Sequence, residues 1–179
     1  MMDILRLENE IGSAANQLLS DGNWKYAIFY DLSTDSVFWN RAALVSLPKT
    51  FASTAPVALI YLLQKEAHSL SLWQQQWTDK TPSLSDFINT IISGRRFSNI
   101  SGEAVSTEIF WKEFNGTVEA IIEETGFEFS IDEQPATYSN MLEKEDIESI
   151  ICFDNTWQEQ NYLVETSTHW ILYHWASAA

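Results

Sequence analysis

The sequence predicts an α+β fold: a single domain in which an antiparallel sheet, made of an N-terminal hairpin and a C-terminal meander, carries a helical middle section packed on it. Three observations lead there. An aromatic run near the start alternates with period two, the middle of the chain spaces its apolar residues helically, and the tail holds three strand-like runs parted by short polar breaks. A chain of 179 residues can enclose one core, and its 45% apolar fraction exceeds that of a disordered acidic chain. Glycine and proline are sparse and no unit repeats, so residues 1–179 are expected to form a single globular domain.

Taken in order, Ile4, Leu7, Ile11, Ala14 and Leu18 place one apolar face on a helix over residues 3–20, ended by Asp21–Gly22–Asn23. Trp24, Tyr26, Ile28 and Tyr30 then alternate onto one face of a strand. After the polar turn LSTDS, Val37, Phe38 and Trp39 supply its hairpin partner. Pro56 suits the first turn of a helix that Ser53 or Thr54 caps, with a stripe through Leu59, Leu63, Glu66/Ala67, Leu70, Trp73 and Trp77 and a break near Ser69. Ser83 and Asp86 open another helix, with Leu84, Phe87, Ile88, Ile91 and Ile92 on its apolar face and Gly94 at its end.

Residues 104–115 keep helical period through Ile109, Phe110 and Phe114. Asn115–Gly116 is expected to interrupt, after which Thr117 caps a short helix through Val118, Ile121 and Ile122 to Gly126. Phe127, Phe129 and Ile131 read as a strand. Last come IESIICFD (147–154), QEQNYLVE (158–165) and THWILYHW (168–175), an antiparallel meander. The helices are expected on a single face of the sheet.

Composition narrows function by exclusion. The opening MMDILRLENE lacks the basic start and apolar run of a secretory signal, and the most apolar run, APVALIYLL (55–63), is far short of the roughly 20 residues of a membrane span. Cys152 is the single cysteine, so no internal disulfide forms and the cytoplasm is the expected compartment. The net charge of −15 is unevenly placed: residues 1–90 carry nine acids and six bases, residues 91–179 sixteen acids and four bases. Such a balance disfavours direct contact with nucleic acid or an anionic membrane and attracts a basic protein.

No catalytic, metal or cofactor motif stands out. Cys152 with His169 or His174 has the residue types of a nucleophile and base, but a lone cysteine in an apolar strand is more often a small buried hydrophobe. His169 and His174, five apart in a strand, point to opposite faces, and His68 has no ligand partner at helical spacing. Asp132–Glu133 and Glu145–Asp146 lack the alternating ligands and glycine turn of a calcium loop. Arg95–Arg96, at an expected helix end, offsets the helix dipole. No cofactor, no metal and no enzymatic activity are expected.

The acid excess is the remaining signal. Residues 119–148 contain ten acids and one base, Lys144. Solubility alone accounts for some excess charge, yet ordinary solvated surfaces mix signs. The expected docking residues are Glu119, Glu123, Glu124, Glu128, Asp132, Glu133, Glu143, Glu145 and Asp146, with Trp157 as an aromatic anchor. They fit an acidic inhibitor that masks the active site of a basic partner, a toxin or nuclease domain; the sharpest version is an immunity protein. A DNA mimic, a small enzyme with an unrecognised site and a scaffold subunit are the alternatives.

Overall fold

The computed structural model describes residues 25–33, 39–69, 102–125, 142 and 147–178. In chain order the elements are β1 (Lys25–Ser33), β2 (Trp39–Pro48), α1 (Ala55–Ser69), β3 (Glu103–Ala104), α2 (Thr107–Thr125), β4 (Ile147–Asn155), β5 (Glu159–Thr166) and β6 (His169–Ala178). A short 3₁₀ turn, Lys49–Phe51, joins β2 to α1. The expected helix over 3–20, the helix from Ser83, the strand from Phe127, and Arg95–Arg96 lie outside the described residues.

The strands form one sheet in the order β1-β2-β6-β5-β4-β3, with antiparallel neighbours throughout. The N-terminal hairpin and the C-terminal meander therefore join edge to edge through β2 and β6, paired from Trp39↔Ala178 to Pro48↔His169. This is the α+β arrangement the sequence predicts, with strands at both ends and helices between.

Both turns of the meander are closed by a threonine. In Thr156–Glu159 the Thr156 hydroxyl accepts from the Glu159 amide at 3.0 Å and donates to its carbonyl at 3.2 Å. In Thr166–His169 the Thr166 hydroxyl accepts from the His169 amide at 2.9 Å and donates to its carbonyl at 3.0 Å. A hydroxyl bonded to nearby backbone holds a tight turn without glycine or asparagine.

Side chains alternate across a strand, which sorts the buried residues into two sets. Leu44, Ile150, Tyr162, Val164, Ile171 and Tyr173 face one way and pack with Leu142 and with Phe110, Phe114 and Val118 of α2. The four-residue spacing of those α2 residues makes one stripe, and Phe114 meets Tyr173 at 5.0 Å between ring centroids. Val45, Leu47, Leu163, Trp170 and Leu172 alternate with that set and are equally buried. On their side α1 packs against β2, β5 and β6. Trp170 Nε1 donates to the carbonyl of Ala52, just ahead of that helix, at 2.9 Å. The two helices thus cover opposite faces, which corrects the single-face expectation. Every residue of α1 from Val57 to Leu63 is buried, the pattern of a helix enclosed all round.

Three further local expectations are corrected. The second strand extends ten residues, Trp39–Pro48, well beyond the run Val37–Trp39. Its segment Ala42–Leu47 is buried on both faces, which erases the period-two pattern. A register shift between Ile28 and Tyr30 sets Ile28 opposite Ala43 but Tyr30 opposite Ala42, so the expected alternation does not carry from Ile28 to Tyr30, and Trp24 lies outside the described residues. Asn115–Gly116 does not interrupt, because α2 runs unbroken from Thr107 to Thr125. Ser106 caps it, its hydroxyl accepting from the Ile109 amide at 3.3 Å, and Thr117 lies inside the helix rather than at a start. Phe110, Phe114 and Val118 must stay on one stripe to bury together, which outweighs about 1 kcal/mol lost at an exposed helical glycine.

Candidate functional site

The sheet has two unlike ends. At the end holding the Thr166–His169 turn, Lys49 lies 2.8 Å from both Glu148 Oε2 and Glu165 Oε1 and 5.5 Å from the centroid of the Trp170 ring. Its amide donates to the Thr168 carbonyl at 2.8 Å, which fixes that position. Hydrogen bonds to Glu148 and Glu165 raise the Lys49 pKa, while at Glu165 burial pushes the carboxyl up but the bonds from Lys49 and Ser149 together outweigh it and leave it lowered. Cation and carboxylates here satisfy one another.

The opposite end carries the Thr156–Glu159 turn. Helix α2 starts just after Val105, whose amide donates to the Ile150 carbonyl, and runs toward this end. Thr117 Oγ1 donates to Gln160 Oε1 at 2.9 Å, and the Tyr173 hydroxyl donates to the same oxygen at 3.0 Å. Buried Gln160 thereby ties the helix to the strand one residue from the turn. At 1.5 Å per residue, Glu119 and Glu123 lie about 3 and 9 Å further along the axis. Both are exposed. They sit four apart, where like charges repel, and Glu123 stands in the last turn of the helix, where a carboxylate opposes the dipole and no base offsets it.

Trp157 is 71% exposed. Its backbone is nonetheless held: its carbonyl accepts from Trp175 Nε1 at 3.3 Å, the neighbouring Gln158 carbonyl accepts from the Ser177 amide at 2.7 Å, and Thr156 closes the turn. A large aromatic ring in water on a fixed backbone is the geometry of a preformed contact.

Of the ten residues expected to dock a partner, the structure brings Glu119, Glu123 and Trp157 to this one end, and Glu124 falls in the same last turn of α2. Glu128, Asp132, Glu133, Glu143, Glu145 and Asp146 lie outside the described residues. Asp154 and Glu159 belong to the same end but were not expected there. For Glu159 the available signal was the run Gln158–Glu159–Gln160–Asn161, since adjacent amides within a strand must send one polar group to each face.

The alternative chemistry separates in space. Cys152 stands opposite Tyr162, on the α2 side, whereas buried His174 stands opposite Asn161 on the other side. His169 lies at the far turn, its Nδ1 2.8 Å from Thr168 Oγ1. Burial, against a smaller lowering by the Tyr162 hydroxyl and with the charges of Asp154, Glu103 and Glu113 added, pushes the Cys152 thiol up, away from the depressed value of an activated nucleophile. Burial, then the charge of the adjacent thiol and its side-chain contact with the hydroxyl, raise Tyr162 as well.

Among the described residues no three His, Cys, Asp or Glu side chains converge as metal ligands, and no helix is long and apolar enough to cross a membrane. No protein-family model, curated protein or solved structure matches the chain.

Proposed function

We propose that this chain is an acidic, cytoplasmic binding protein that docks a basic protein partner, and most specifically an immunity protein that neutralises a nuclease-type bacterial toxin by covering its active site. The observation that carries the reading is the gathering of exposed Glu119 and Glu123 with exposed Trp157 at one end of the sheet. Nuclease surfaces are basic because they hold phosphates, so an acidic antagonist meets them with complementary charge. The carboxylates accelerate encounter, while the aromatic anchor sets how long the complex lasts.

The test begins with capture of stoichiometric partners from the native cell and proceeds to association kinetics with the basic protein recovered. Wild-type association slows steeply as salt rises, because screening shortens the reach of the carboxylates. Charge reversal at Glu123, Glu124, Glu128 and Glu133 together slows it by at least about tenfold with the fold intact. An on-rate indifferent to salt and to that substitution, or no basic partner at all, refutes the reading.

A further inference from the structure

Two buried oxygens beneath the Trp157 turn have no hydrogen-bond donor: Asp154 Oδ2 and Asn161 Oδ1. Asn161 is fully buried. Its Nδ2 donates to Glu159 Oε1 at 2.9 Å, which places the Glu159 carboxylate at the rim of the same group. A buried acceptor left without a donor forfeits its hydration for nothing, and native structures carry few of them.

The backbone is shaped to bring these groups together. The β4–β5 register passes from Cys152↔Tyr162 directly to Asp154↔Asn161, so Phe153 is the extra residue of a bulge. Without it Asp154 would face α2 alongside Cys152; with it Asp154 joins Asn161 and, beyond, His174 on the other face. Bulges of this kind re-aim a side chain and are frequent beside functional sites. Burial, then the charge of Glu159, raises the Asp154 carboxyl above its ordinary range, against a smaller lowering by Asn161. Two carboxylates and an amide oxygen so disposed lack a positive charge with hydrogen-bond donors.

Building on the docking function above, we propose that Asp154, Asn161 and Glu159 receive one arginine guanidinium of the basic partner, beneath the turn that presents Trp157. A guanidinium supplies five N–H donors in a flat fork, enough to reach two oxygens at once, and is weakly hydrated enough to leave water. An ammonium is a compact, strongly hydrated point charge and fits two separated acceptors less well. A divalent ion would require about six oxygens or more, beyond what three side chains offer. Asp154 and Glu159 are both partly exposed, so the cation enters from the rim as Glu159 swings away from the Asn161 amide.

The test uses the full chain at low ionic strength with two probes, octa-arginine and octa-lysine, followed by the side-chain amide resonance of Asn161 and by affinity. The expected result is preference for octa-arginine, a shift of the Asn161 amide on its addition, and about tenfold weaker octa-arginine binding in Asp154→Asn with Glu159→Gln, the scale of one charge-assisted hydrogen bond. Glu119→Gln with Glu123→Gln should weaken both peptides alike and leave the preference in place. If both peptides bind but the Asn161 resonance and the preference are absent, the guanidinium receptor is overturned while acidic docking stands. If neither peptide binds the wild-type chain, both fall. Should the double substitution fail to fold, the wild-type resonance and peptide preference decide the matter.

Discussion

Substituting Gly116→Ala distinguishes a continuous helix from a broken one. Gly116 is exposed within α2, and nothing lies within 4 Å of the position its Cβ would take. Its φ is not positive, unlike that of Gly102, so an L side chain meets no backbone strain. The whole difference is then intrinsic: alanine restricts the unfolded chain and favours the helix by about 0.5–1 kcal/mol over glycine. For a domain of this size that corresponds to a rise of roughly 1–4 °C in Tm. Urea unfolding followed by helical circular dichroism should show a higher midpoint with an unchanged slope. Gly102→Ala is the matched control. At φ +60 its new Cβ would meet Ile151 Cγ2, the Cys152 carbonyl oxygen at 2.9 Å and Phe153 Cδ1 at 3.0 Å. A flexible side chain can retreat but that carbonyl cannot, so a loss of about 1–3 kcal/mol is expected. A Gly116→Ala protein no more stable than wild type would mean that the chain does interrupt at Asn115–Gly116.

Two more outcomes concern the core and the charged end. Phe114→Ala removes a ring packed on Phe110, Trp111 and Tyr173 at centroid distances of 5.8, 5.6 and 5.0 Å. It should cost about 3–5 kcal/mol in denaturant unfolding, and a cost below about 1 kcal/mol would deny the burial. Asp154→Asn should raise stability near neutral pH, because the folded-state pKa lies above the ordinary value of 3.8. The sign follows from the neutral form being favoured on folding: the wild-type contribution is complete below 3.8 and is lost as pH rises through the raised value. The advantage of the variant therefore opens with rising pH and closes in acid, and an advantage of constant size across that window would contradict the raised pKa.

The tail strands were legible because each holds a short apolar stretch of aliphatic and aromatic residues bounded by polar breaks, and the observed β4, β5 and β6 lie within a few residues of the runs read from the sequence. The interior of β2 was not, since Ala42–Leu47 is buried on both faces and a strand enclosed by two helices leaves no alternation to read. Asn115–Gly116 misled for a related reason: local propensity argues for a turn, and only the tertiary stripe of Phe110, Phe114 and Val118 argues against it. β3, two residues long, carries no periodic signal at all. At the candidate site, Glu119, Glu123 and Trp157 could be picked by charge and turn position. Asp154 could not, because its direction depends on a bulge that only strand register displays.

Electrostatics gives the two ends of the sheet different meanings. Lys49 shows how this chain treats carboxylates that serve the fold: it bridges Glu148 and Glu165 and lies over Trp170. Among the residues whose side chains are described, the remaining base is Lys112, on α2 ahead of the acidic segment. Glu119, Glu123, Asp154 and Glu159 meet no ion-pair partner among the described residues, and Glu123 stands in the last turn of α2, where the helix dipole opposes it. Stability alone would favour placing a lysine among them, as it does at the other end. A cation supplied from outside would remove the same repulsion and restore donors to Asp154 and Asn161, and under the proposed docking an energetic weakness of the free chain would become affinity in the complex.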